Sequence, residues 1–225
     1  MEQNLKYISE NYITEDDLCD ITSITKNELA ELIKNKLLPN ASYEVSKNIK
    51  ITSPLNDIFQ SEIIEKYFSK NCISLIQKNK TQDPLTYKSE FKKKFIQSLM
   101  QHPDKHFAYN NIFKGDILDQ EKINEFFESE WKAYCNGIYG ICTLQATEEE
   151  IIKKEIAVKK LIEFNKTFSE KALNTNEKEE LLKLNKEFNE VAEKFAPYQR
   201  ETSSRGKYLD RILENNKLLH LIKKY

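Results

Sequence analysis

Along most of this chain apolar residues return every three or four positions, the spacing that turns one face of an α-helix toward a core. Three stripes are clearest: Tyr87, Phe91, Phe95, Ile96 and Leu99; Ile123, Phe126, Phe127, Trp131 and Tyr134; and Ile151, Ile152, Ile156, Leu161 and Phe164. A fourth runs through Leu181, Leu182, Leu184, Phe188 and Val191. They predict helices over residues 83–101, 119–136, 148–168 and 176–195. Asp83-Pro84 and Thr147-Glu-Glu-Glu150 supply start signals, the second in capping-box form. Residues 57–78 read as one more helix through Ile58, Phe59, Ile63, Ile64, Tyr67, Phe68, Ile73 and Ile76. A last helix is expected from Gly206 to about Lys217. Period-two alternation is confined to Ser42–Ser46 and Ile49–Ile51, on either side of Lys47-Asn48, and predicts a small hairpin. No period of 20–50 residues repeats, which argues against a solenoid.

The pattern predicts a mainly α protein, a helical bundle with an N-terminal winged-helix-like module and one small β-hairpin. Pro54 is the expected boundary, giving a module at residues 1–53 and a bundle at 54–225. No flexible linker composition separates the two, so the module should dock on the bundle.

Within the module, Thr14 caps a short helix whose first turn is acidic. Ile21–Thr25 is the turn, and Thr25 with Glu28 forms a capping box for a second helix over Lys26–Lys36. Leu37-Leu-Pro39 ends it. Residues 12–39 thus resemble a helix-turn-helix of the MerR or excisionase type, with the hairpin as a wing, and the resemblance implies DNA binding. Charge argues the other way. From Glu10 to Asn35 there are seven acids against two lysines. The would-be recognition helix carries Glu28 and Glu31 and no Arg, a surface that repels phosphate. Nucleic acid is therefore not the expected partner, and a packing or protein-contact role is.

Composition changes little else. A net charge of -1 and a pI near 6.4 lack the basic signature of a nucleic-acid binder. The four cysteines, at 19, 72, 135 and 142, form no CxxC pair, and no apolar run has the length of a signal core or membrane span. Free thiols in a cytoplasmic protein, with no membrane contact, are the expectation.

Candidate chemistry gathers in three stretches. Trp131–Thr143 holds the one Trp, two of four Gly and two of four Cys. Gly137 and Gly140 predict a helix end, a tight turn or a close backbone approach. Trp131, Tyr134 and Tyr139 are either ligand contacts or core aromatics; Cys135 and Cys142 are candidate nucleophiles. In Gln101–Phe113, His102 and His106 stand four apart, but Pro103 argues against the continuous helix a metal pair needs, so each is a candidate acid or base. No metal site is predicted. In Phe195–Tyr208, Arg200, Ser203, Ser204 and Arg205 surround a helix start and could clamp an anion. Alternatively, the arginines pair with acids of the same chain.

Three landmarks in this order, Tyr12–Glu15 with Leu37–Tyr43, Trp131–Thr143, and Phe195-Ala-Pro197 with Ser203-Ser-Arg205, resemble a bacterial family of unknown function sometimes labelled as natural-product biosynthesis proteins. That resemblance implies a small-molecule pathway and supplies no catalytic residues. The expected function is binding of a small polar or anionic ligand where the three stretches line one pocket. A DNA-binding regulator with a C-terminal sensing domain and a non-catalytic interaction scaffold are the alternatives. The sequence names no cofactor, no reaction and no oligomeric state.

Overall fold

A computed structural model describes residues 2–168 and 171–224; the outermost residues of the two expected modules, Met1 and Tyr225, lie outside it. The protein is mainly α with one small antiparallel sheet. The chain opens with α1 (Glu2–Asn11), β1 (Tyr12–Thr14), α2 (Glu15–Thr22) and α3 (Lys26–Lys34). The Thr14 hydroxyl accepts the Asp17 N–H to start α2, and Thr25 and Glu28 form the full capping box of α3. Ser23 ends α2 in the left-handed region at φ 53°.

The ribbon that follows is longer than the period-two stretch suggests. β2 (Tyr43–Thr52) pairs antiparallel with β3 (Ile58–Ser69), Tyr43 opposite Tyr67 and Thr52 opposite Ile58. The turn is at residues 53–57, where the Ser53 N–H donates to Asp57 at 3.1 Å, not at Lys47-Asn48. The helix expected over residues 57–78 is thus a strand to Ser69 and a short helix, α4 (Cys72–Asn79). Apolar positions 58, 59, 63, 64, 67 and 68 mimic helical spacing, but β-branched and aromatic residues favour the extended chain. A cut at 53/54 would pass through the turn of this hairpin. β3 also pairs with β1, Phe68 opposite Ile13, giving the sheet order β1-β3-β2.

The bundle follows. α5 (Pro84–Gln101) starts on the Asp83 cap. Next come α6 (Lys105–Tyr109), a 3-10 turn over Asn110–Ile112, and the short strands β4 (Phe113–Lys114) and β5 (Ile117–Leu118). α7 (Gln120–Cys135), then the short α8 (Ile138–Cys142) where a turn was expected, lead to α9 (Glu148–Phe168) and α10 (Thr175–Asn189); α7, α9 and α10 carry the predicted stripes. α11 (Pro197–Arg200), a π-turn over Gly206–Asp210, α12 (Arg211–Asn215) and a 3-10 turn over Leu219–Leu221 complete it. The last predicted helix is thus broken into a wide turn and one short helix.

One core runs across the module and the bundle: Ile13, Leu18, Leu29, Leu38 and Phe68 join Phe91, Phe95, Phe127, Trp131 and Ile152 in a single buried cluster. A second cluster lies between α9, α10 and α12, around Leu161, Leu181, Phe188 and Leu213. A third, Tyr7, Ile8, Tyr12, Tyr43 and Ala196, ties α1 and the root of the ribbon to the start of α11.

Candidate functional site

The Trp131–Thr143 stretch forms a packed seam and not a pocket. α7 ends at Cys135, and Gly137 turns the chain at φ 78°. A Cβ there would stand 2.5 Å from the Asn40 carbonyl oxygen, and one at Gly140 would collide with the Ser42 hydroxyl. The Asn40 N–H donates to the Cys135 carbonyl at 2.8 Å. Both glycines therefore admit the loop that follows α3, the close backbone approach their spacing allows. Trp131 and Tyr134, candidate ligand contacts, are taken up by the core. Trp131 packs on Tyr87, Phe91 and Phe127, and the Tyr134 hydroxyl bonds that of Tyr87 at 2.7 Å. Tyr139 donates to Glu130, whose carboxyl burial holds above its usual range.

The candidate nucleophiles are poorly placed for that work. Burial pushes the Cys135 thiol up to about 11 and raises that of Cys142 as well. A thiol so raised holds its proton at neutral pH, the opposite of an activated cysteine.

The arginines are used internally. Arg200 makes a two-pronged bond to Asp210, at 2.7 and 3.2 Å, and also donates to the Lys194 carbonyl. Arg205 is 1% exposed. Its guanidinium donates to the Glu193 carbonyl at 2.9 Å, to Asn189 at 2.7 Å and to the Ala192 carbonyl at 3.0 Å, over the Phe188 ring. It thus answers the carbonyls just past the end of α10, where a cation opposes the helix dipole. Burial pulls its pKa to about 10, so it stays charged at neutral pH. Ser203 accepts the Gly206 N–H at 3.2 Å and closes that turn, and Ser204 is half-buried beside it. The expected anion clamp is therefore an internal knot, holding carbonyls and one carboxylate in place of a ligand.

The Trp131–Thr143 stretch meets both of the others: Tyr109, Ile112 and Phe113 share the core cluster of Trp131 and Tyr134, and its far end reaches the chain around α11. The Glu193 N–H reaches the Cys142 carbonyl, the Leu144 N–H donates to the Val191 carbonyl, and Ile141 packs on the cluster of Tyr12, Tyr43 and Ala196. The Tyr43 hydroxyl bonds Gln199 at 2.8 Å. Their meeting place is filled with side chains. His106 stands apart from it, at 3.1 Å from the exposed Asp116 and against the Phe113 ring.

His102 has a different setting. It ends α5, and its Nδ1 accepts the Asp104 N–H at 3.1 Å, which leaves the ring proton on Nε2. It lines a half-open hollow of about 530 Å³ between the start of α6, the first half of α9 and the end of α10. Ile156, Ala157 and Val191 supply an apolar floor. Around it stand five carboxylates, Asp104, Glu149, Glu150, Glu187 and Glu190, against two ammonium groups, Lys153 and Lys160. Lys160 bridges Asp104 at 2.7 Å and Glu187 at 2.8 Å. Burial alone would lower the Lys160 pKa; its two carboxylate partners more than offset this and raise it. The same contact holds Asp104 below the usual carboxylate range. Burial, aided by the nearby lysines, lowers the His102 pKa, and the imidazole is neutral at pH 7.

Sequence reasoning found His102 but missed its neighbours. The signal was present: residues 149, 153, 156, 157 and 160 form one stripe of α9, charged at its ends and apolar between, a face that resembles neither pure core nor pure surface. Among the described residues no group of three or more His, Cys, Asp or Glu could hold a metal ion. No helix of the described chain is long and apolar enough to cross a membrane.

Residues 87–217, more than half of the chain, match the model of a family of unknown function, DUF6058. The chain belongs to the DUF6058 family. No curated protein and no solved structure matches it. The DUF6058 match contains the whole lining of the His102 hollow, the aromatic core of α5 and α7, and the Arg200–Arg205 knot. α1 to α3 and the β2–β3 ribbon precede it.

Proposed function

We propose that the DUF6058 bundle binds a small polar molecule in the His102 hollow. The observation that carries this reading is one recess with an apolar floor and a charged rim, lying wholly inside the family match. Binding sites combine these features: apolar area gives affinity and a few polar groups orient the ligand. The sign of the rim favours an amine or other organic cation over the anion expected from the arginines. Five carboxylates face two lysines there, and Lys160 already neutralises two of them. Lys153 already pairs with Glu149, and Lys186 stands 4.0 Å from Glu190, so the cation would sit by Glu150 and Glu190, with its apolar part on Ile156 and Val191. Neutral His102, with its ring proton on Nε2, would donate one hydrogen bond to the ligand. The resemblance to natural-product biosynthesis proteins agrees with a small-molecule pathway in the cytoplasm. Thiols that burial holds protonated favour binding over catalysis.

The test is calorimetry with spermidine, putrescine and tyramine, against succinate and phosphate as anionic controls, on the wild-type chain and on Glu190→Gln and Val191→Phe. Binding of an amine that both variants weaken at least tenfold supports the reading. Binding of the anions alone, or amine binding untouched by both variants, overturns it.

Duplex DNA is not part of this reading. The two lysines of α3 are occupied, Lys26 with Asp16 and Lys34 with Glu31, and Lys47 of the wing is held by Glu65. Few free cations remain there for phosphate.

A further inference from the structure

The His102 hollow does not end at Lys160. A second hollow of about 340 Å³ begins there, and Lys160 and Glu187 line both. Their linings are continuous along the helices. Residues 153, 157, 160, 164 and 168 of α9 return at helical spacing, as do residues 180, 184, 187 and 191 of α10, so each helix gives one stripe to both hollows. The two hollows are therefore successive reaches of one groove between α9 and α10. The bridge from Lys160 to Asp104 and Glu187 crosses it midway, from the residue before α6 to α10. The Lys160 side chain is 17% exposed, so its methylene stem packs down and carries the apolar lining past the bridge.

The two reaches differ in charge. The first has the five carboxylates and two ammonium groups described above. In the second, Glu163, Glu180 and Glu187 face Lys160 and Lys183. Glu187 is held by Lys160, and Glu163 is held by Lys166 at 2.6 Å. That leaves Glu180 with Lys183 three residues on, an opposite pair on one face of α10, and the second reach is close to neutral. The rest of its lining is largely apolar. Phe164 and Leu184 are buried at its base, the Phe164 and Phe168 rings stand 4.7 Å apart, and Phe107 is 50% exposed at its rim. A second ammonium group would find no unmatched carboxylate here, whereas an apolar chain or ring would find four apolar side chains.

We infer that the second hollow takes the tail of the ligand whose cationic head sits by Glu150 and Glu190. The inference rests on the amine reading above and narrows it to one class, primary amines with an extended aliphatic or arylalkyl tail, in preference to polyamines. From Glu190 to Leu184 the groove follows six residues at the end of α10, about 9 Å along the helix axis. Butylamine stays within the first reach; octylamine and phenylbutylamine extend past Lys160 into the second.

The test is calorimetry on the full chain with these three amines. Diaminooctane serves as the control for a second charge, and octanoate as the control for apolar uptake without a cation. Octylamine is expected to bind about tenfold or more tighter than butylamine, since full burial of one methylene is worth about fourfold. Diaminooctane should bind more weakly than octylamine, and octanoate more weakly still. Two variants at exposed positions separate the reaches: Phe107→Ser removes the apolar rim of the second hollow, and Thr167→Trp fills it. Each should erase the octylamine gain while keeping butylamine binding and the melting temperature of the wild type. Butylamine binding with no gain for octylamine overturns this inference and leaves the amine reading standing. A gain that both variants leave intact overturns it, as does octanoate binding as tightly as octylamine. Diaminooctane binding tighter than octylamine also overturns it, and would assign the groove to polyamines. Absence of binding by every amine, spermidine included, overturns the inference and the amine reading together.

Discussion

The glycine seam and the His102 hollow flank one turn, residues 142–147, and are built in opposite ways. In the seam unusual residues are crowded together and consume one another. Gly137 and Gly140 admit the 40–42 loop, Trp131 and Tyr134 fill the core, and Arg205 closes the end of α10. In the hollow ordinary residues, among them Glu and Lys of two amphipathic helices, stand around a space that none of the described residues fills. Rare residue types at tight spacing therefore mark the place where two parts of the chain had to fit. The recess is lined by common residues of α9, α10 and the chain before α6.

This contrast can be broken at the seam with the largest effects. Arg205→Ala should cost about 3 kcal/mol or more, because it strands the Ala192 and Glu193 carbonyls and Asn189 in a buried place. Urea denaturation would measure it, and a change under 1 kcal/mol would show that the knot matters little. Gly137→Val should cost about 2–3 kcal/mol, since it combines a positive φ with a clash against the Asn40 and Ala41 carbonyls. The same variant should leave amine binding in the hollow intact if seam and hollow are separate.

At the hollow the stability effects are smaller and the binding effects larger. Lys160→Met should cost about 1 kcal/mol, the scale of partly exposed ion pairs. It also frees Asp104 and Glu187 to attract a cation, so amine affinity should rise, and calorimetry would detect the change. The smallest effect is on pH dependence. The folded pKa of His102 is depressed, so the unfolded chain takes up its proton first as pH falls. Stability present above the ordinary histidine value of about 6.5 is then lost progressively toward the lower folded value. His102→Gln should flatten the stability profile between pH 7.5 and 5.5, and an unchanged slope would refute the assignment.

The helices were legible because their stripes and start signals agree: Asp83-Pro84 and Thr25 with Glu28 cap as their sequence suggests, and Thr147 accepts the Glu150 N–H at the start of α9. β3 was not, because an apolar strand with doublets at 58–59, 63–64 and 67–68 imitates helical spacing when its partner is unknown. A close approach at Gly137 and Gly140 was one of three readings their spacing allowed, but the identity of the approaching loop was not legible, since Asn40 lies about a hundred residues away. The arginines misled for a physical reason. Side chains that could hold an anion hold helix-end carbonyls equally well, and only the path of the chain decides between them.

The tyrosine cluster has a bearing on how this family can be handled. A fragment starting near Tyr87 would lose Tyr7, Tyr12 and Tyr43, and with them the roof over Ile141 and Ala196. Gly137 and Gly140 would face water across a groove shaped for a missing loop. Such a piece would be sticky and short-lived, so any shorter protein built on this bundle needs some other segment to shelter that strip.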